Sequence, residues 1–132
     1  MFDLREYTAP KKLYGNVKKG WHFARIYQAA LKNGRSKAGK SYQYILVDFL
    51  IVEEDVLVPF YTYYKQGQEK PDPVFGRMLS IIGLSGDFSD DKAGFFKAMI
   101  GSELMVKVVH RFKGPKRIRR DQVVDFSEEV PF

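Results

Sequence analysis

Apolar and polar residues alternate with a period of two over residues 20–30 (GWHFARIYQAA), the spacing of a β-strand with one buried face. His22, Ala24 and Ile26 fall on one face, and Trp21, Phe23, Arg25 and Tyr27 on the other. Residues 32–40 (KNGRSKAGK) contain nothing apolar larger than Ala and read as a hairpin tip. A second strand follows at 41–51, with Ile45, Val47 and Phe49 inward and Tyr42, Tyr44 and Leu46 outward. The acidic turn Glu53-Glu54-Asp55 leads into a third, Val56–Tyr64, rich in β-branched and aromatic residues. Pro59 within it suits an edge or a bulge.

The period then changes. Phe75, Met78, Leu79 and Ile82 form one apolar stripe at helical spacing. Asp72 is placed to cap that helix, Pro73 to start it and Gly83 to stop it. A second short helix is expected from Ser89 to Ile100, capped by Ser89, helped by Asp90 and Asp91, and ended by Gly101. The segments from Leu104 to Phe112 and from Ile118 to Phe126 return to strand patterning around the turn Lys113-Gly114-Pro115-Lys116. Three strands, a helical segment and two strands is the element order of the OB fold. The expected class is therefore all-β with one or two short helices: a five-stranded OB-type Greek-key barrel, its helix between strands three and four. One domain is expected over 1–126, with 1–19 as an N-terminal extension and 127–132 as a tail.

Composition narrows the function. The chain has 132 residues, 45% of them hydrophobic, and carries a net charge of +6; it has a core to bury and an affinity for polyanions. With no Cys, disulfides, thiolate metal sites and Cys nucleophiles are excluded, and a reducing compartment fits. No membrane-length apolar run and no signal pattern occur, so a cytoplasmic protein is expected. His22 and His110 lack ligand-spaced partners and read as barrel or rim residues; no metal or cofactor is expected.

The charge is uneven. No acid lies between Glu6 and Asp48, a stretch that holds Arg25, Lys32, Arg35, Lys37 and Lys40 among other cations. A second basic cluster spans Lys113, Lys116, Arg117, Arg119 and Arg120, with Lys107 and Arg111 just before it. In an OB barrel these clusters fall on the two loops that flank the ligand groove. Aromatic residues make up 15% of the chain, and Trp21, Phe23, Tyr27, Tyr42 and Tyr44 point outward beside those cations. Rings that stack bases and cations that neutralise phosphates are the two requirements of single-strand binding. Sequence-tolerant binding of single-stranded DNA, without catalysis, is the expected activity. An RNA-binding, cold-shock-like module is the first alternative. A metal-dependent nuclease using Asp48, Glu53, Glu54 and Asp55 is the second; a pattern of Asp72, Glu103 and Lys107 has the wrong spacing for a restriction-type core. No P-loop and no nucleophile elbow is present. Oligomeric state is open, a homo-oligomer included.

The chain ends Asp125-Phe126-Ser127-Glu128-Glu129-Val130-Pro131-Phe132. This resembles the acidic tip of bacterial single-stranded DNA-binding proteins, D-F-D-D-D-I-P-F, with Glu for Asp and Val for Ile. The body, from Gly20 through Ser36-Lys37-Ala38-Gly39-Lys40 to the tail, is similar to phage-encoded single-stranded DNA-binding proteins of the OB type. The resemblance implies a role in DNA replication, recombination and repair in a bacterial or phage-infected cell. It implies that Glu128, Glu129, Val130, Pro131 and Phe132 recruit partner enzymes. One departure is that the tip follows the last strand directly, without the long Gly-rich linker of the bacterial proteins.

Overall fold

The computed structural model describes residues 13–68, 70–84 and 92–129. Five antiparallel strands, β1 (Gly20–Arg35), β2 (Ser41–Ile51), β3 (Val56–Tyr64), β4 (Glu103–Lys113) and β5 (Ile118–Ser127), form one sheet in the order β3-β2-β1-β4-β5. Two short helices, α1 (Pro73–Ile81) and α2 (Lys92–Met99), lie between β3 and β4. None of the described helices is long and apolar enough to cross a membrane.

The first strand differs from its expected form. It runs to Arg35, so Lys32, Asn33, Gly34 and Arg35 are strand residues paired with Tyr44, Gln43, Tyr42 and Ser41. The loop shrinks to 36–40, closed by hydrogen bonds from the Ser36 and Lys40 amides to the Lys40 carbonyl and the Ser36 hydroxyl. The strand also carries a bulge at Tyr27, where the register steps from Ile26↔Phe49 to Gln28↔Asp48. One extra residue shifts the side-chain phase. Ala24 and Ile26 point inward before the bulge; beyond it the inward set becomes Ala29 and Leu31, opposite Val47 and Ile45. A strict alternation read through residues 20–30 misses that step. The bulge also lets one strand serve two neighbours: residues 20–25 pair with β4 and residues 24–35 with β2.

The core is apolar and ring-rich. Phe126 packs on Phe60 at 5.0 Å and on Phe49 at 5.4 Å between ring centroids, and Phe60 stacks on Phe75 of α1 at 6.2 Å. Phe126 is thus a core residue of β5 and, with Asp125, lies outside any free tail. Helix α1 starts as its sequence dictates: Asp72 accepts hydrogen bonds from the Val74 and Phe75 amides at 3.0 and 3.2 Å. Thr62 of β3 donates to the other oxygen of that carboxylate, which fixes α1 to the sheet. Gly83, at φ 83°, takes the left-handed turn that ends the helix. Helix α2 spans Lys92–Met99; Ser89, Asp90 and Asp91, expected at its start, lie outside the described residues.

Among the described residues, no ladder joins β3 to β5, although Phe60 and Phe126 meet across that seam. The segment 13–17 crosses it. Its Leu13 carbonyl accepts from the Leu57 amide, and the Gly15 amide donates to the Leu57 carbonyl, a short parallel bridge onto β3. Two residues on, the Val17 amide donates to Asp121 of β5 at 2.8 Å, and the Val17 carbonyl accepts from Arg119 at 2.8 Å. The expected N-terminal extension therefore acts, over residues 13–17, as a clasp.

Candidate functional site

Four tyrosines share the outward face of β2 and β3. Tyr42 and Tyr44 alternate along β2, and Tyr61 and Tyr63 along β3, in the register Tyr44↔Tyr63 and Leu46↔Tyr61. Their rings form a chain: Tyr63 to Tyr42 at 5.6 Å, Tyr42 to Tyr44 at 5.9 Å, Tyr44 to Tyr61 at 5.9 Å. The interplanar angles of 41° to 66° mean that the rings touch at a tilt and leave ring faces open. Tyr63 is 77% exposed and Tyr61 46%. Such exposure of large rings has a cost in water that packing alone does not explain.

A close backbone approach sets Tyr42. It lies opposite Gly34 of β1, and a Cβ at Gly34 would meet the Tyr42 ring at 2.6 Å. The ring covers the space that the glycine leaves, so Gly34 is a site residue acting through Tyr42.

The tyrosines line a groove of about 340 Å³ closed on its far side by Lys113 and Gln122 of the β4–β5 hairpin. It continues, past the shared residues Tyr61, Lys113 and Gln122, into a larger depression of about 600 Å³ bounded by Tyr14 and Asn16 of the clasp and by Arg120. Beneath Tyr14 lies Asp48. Burial raises the Asp48 carboxyl above its ordinary range, opposed by a 2.6 Å hydrogen bond from the Tyr14 hydroxyl and by the charge of Lys32. Burial and the same carboxylate push the Tyr14 hydroxyl up, so it stays a donor. The Tyr61 hydroxyl is also raised, by burial first and then by Asp48 and Tyr44, against the lowering effect of Arg120. On the inner side of the hairpin, burial alone would raise Asp121. Hydrogen bonds from Arg119 and Val17, with the charge of His110, outweigh it and hold the carboxylate below its ordinary range.

The residues expected to bind form two groups. Tyr42, Tyr44 and Lys113 line the tyrosine groove, and Lys32 pairs in register with Tyr44. Arg35, Lys37 and Lys40 are exposed at the β1–β2 tip; Arg111 and Lys116 are exposed on the β4–β5 hairpin, where Arg111 pairs in register with Arg120. Trp21, Phe23, Arg25 and Lys107 lie elsewhere, at the opposite end of β1 from the Gly34↔Tyr42 pair. There Trp21 is paired with Lys107, Phe23 with Met105 and Arg25 with Glu103. Arg25 also pairs with the Glu103 carboxylate at 3.3 Å. Tyr27 sits at the bulge. The expected single row of Trp21, Phe23, Arg25 and Tyr27 is therefore broken, and among the described residues it does not join the tyrosines.

Tyr61, Tyr63, Gly34 and Gln122 are site residues beyond those the sequence pattern singles out, and Arg120 of the second basic cluster joins them. The period-two alternation of Val56–Tyr64 does carry the two tyrosines on one face, and is the signal by which they can be found. Nothing in the sequence places Gln122 beside them. For the acidic cluster, Glu53, Glu54 and Asp55 are exposed in the β2–β3 turn, Asp48 is held by Tyr14, and Asp72 caps α1. Among the described residues, no three His, Asp or Glu converge as a metal site. Glu128 and Glu129 are exposed beyond β5, with Ser127 donating to the Glu129 carbonyl; Val130, Pro131 and Phe132 lie outside the described residues. Compared with known proteins, the chain matches no family model and none of the curated proteins.

Proposed function

We propose that this chain is a sequence-tolerant single-stranded DNA-binding protein built as an OB-type barrel whose β3–β5 seam is held by packing and by the clasp. Supporting the fold reading, β1 is shared between β2 and β4, β3 abuts β5, and the helices intervene between β3 and β4. In OB folds, oligonucleotides lie across the face of strands two and three, between the loops joining strands one to two and four to five. The observation that carries the functional reading is the tyrosine quartet on that face. Its open ring faces suit unpaired bases, and Lys113, Arg120 and the exposed cations of both hairpin tips suit the backbone that links them. A duplex hides its base faces and has no use for such a platform. Action in replication, recombination or repair, inside a bacterial or phage-infected cell, follows from the proposed resemblance, as does partner recruitment by residues 128–132.

The test is a titration of labelled single-stranded DNA, RNA and duplex DNA of one sequence at two salt concentrations, with Mg²⁺ present. Single-stranded DNA should bind best and remain uncut; preference for RNA would favour the cold-shock-like alternative, and cleavage the nuclease. Tyr44→Ala or Tyr61→Ala should each weaken binding by about 1–3 kcal/mol, and Tyr44→Phe should keep most of it. Wild-type affinity in both folded alanine variants would refute the platform.

A further inference from the structure

Gln122 stands out among the polar side chains around Tyr61. Thr62 is committed to Asp72, Asp48 to Tyr14, and Asp121 to Arg119 and Val17. Lys113 and Arg120 are charged and suited to phosphate. Gln122 is neutral, and its amide has no hydrogen-bond partner among the described residues; Asn16, also a neutral amide, borders only one of the depressions that Tyr61 lines. Its place is fixed by β5: Asp121 and Val123 on either side are buried inward, so Gln122 faces out. It shares with Tyr61 the lining of three adjoining depressions along the β3–β5 seam. A ring for stacking and an uncommitted donor–acceptor pair thus border the same space.

We propose that Gln122 reads the edge of a base stacked on Tyr61 and gives the groove a preference for adenine at that one position. The proposal rests on the single-strand reading above and adds a specificity residue to it. A carboxamide presents one acceptor beside one donor, and its complement is a donor beside an acceptor. Adenine offers that pair on both base edges, N6–H with N1 and N6–H with N7, and the second is the pairing glutamine makes with adenine in duplex recognition. Cytosine offers it on one edge. Guanine offers such a pair on its Watson–Crick edge, N1–H with O6, but its Hoogsteen edge has two acceptors, so adenine is the purine that matches the amide whichever of these two edges faces it. Thymine can pair through N3–H and a carbonyl, but its smaller ring covers less of Tyr61. Hydrogen bonding and stacking together select adenine.

The test uses short oligothymidylates in which one position at a time is replaced by adenine, cytosine or guanine, each competing against the all-thymine strand. The wild-type protein should bind the best-placed single-adenine strand about fivefold more tightly than the others, the lower end of what one bidentate base pairing provides. Gln122→Ala should bring that ratio close to one. Gln122→Glu, isosteric but with acceptors alone, should remove the adenine advantage and favour guanine, whose N1–H and N2–H donors are adjacent. Ratios within each variant cancel any uniform loss of affinity, and thermal melting verifies folding. Equal binding of all the strands by the wild-type protein, or an adenine preference that survives both substitutions, would overturn the assignment and leave the single-strand reading standing. Failure to bind any strand would overturn both.

Discussion

Asp121→Ala probes the clasp across the β3–β5 seam. The Asp121 side chain is 1% exposed and receives three hydrogen bonds: from the Val17 amide at 2.8 Å and from Arg119 at 2.8 and 3.2 Å. Truncation orphans a buried amide, which costs roughly 1–3 kcal/mol. The Arg119 pair adds little, since that guanidinium is 34% exposed and water can replace the partner. A net loss of about 2 kcal/mol follows. Unfolding entropy near 2.1 cal/mol/K per residue gives about 0.28 kcal/mol/K for a chain of this length, so Tm should fall by roughly 7 °C. The pH dependence has a definite sign. A carboxyl held below its ordinary value of 3.8 in the folded state stabilises above that value and loses its effect as pH falls through the folded one. The gap between wild type and Asp121→Ala should therefore be full at about pH 7 and narrow below about pH 3.8. Thermal melts followed by circular dichroism at about pH 7 and about pH 3 measure it, and amide exchange at Val17 reports the clasp directly. A variant melting within about 2 °C of wild type at neutral pH would show that Asp121 does not hold the clasp, as would a gap that widens in acid.

Three further outcomes are expected. Gly34→Ala should displace the Tyr42 ring and weaken single-strand binding by up to about 1–3 kcal/mol, while the melting temperature changes little because the end of a flexible ring can move aside; a large loss of stability with intact binding would show that Gly34 serves the sheet alone. Asp48→Asn removes a carboxyl whose folded-state pKa is raised, so the wild type loses stability as pH rises through that value; the variant should melt higher than wild type at neutral pH and converge with it in acid, and the opposite order would contradict the burial argument. Neutralising Lys37 and Lys40 together should flatten the salt dependence of binding by about 0.7 for each phosphate that is no longer neutralised; an unchanged slope in titrations at several salt concentrations would remove the β1–β2 tip from the interface.

The elements and much of their orientation are legible in local residue patterns. Period-two alternation marked five strands, because a half-buried sheet must place its apolar residues on every second position. Asp72, Pro73 and Gly83 marked the ends of α1, because capping and chain reversal depend on a few neighbouring backbone atoms. The outward set of Tyr42 and Tyr44 was legible for the same local reason. The rest depends on how the strands pair and meet. The bulge at Tyr27 lies in the β1–β2 ladder, while the first part of β1, residues 20–25, pairs with β4, far along the chain. Residues 32–35 join the strand by pairing with residues 41–44, and Trp21 and Phe23 lie at its other end, paired with β4. Gln122 borders the same groove as Tyr61 across the β3–β5 seam, and Val17 meets Asp121 at a separation of 104 residues. Such meetings leave no local periodic trace: each partner satisfies its own strand's alternation, and only the closing of the chain brings the two together.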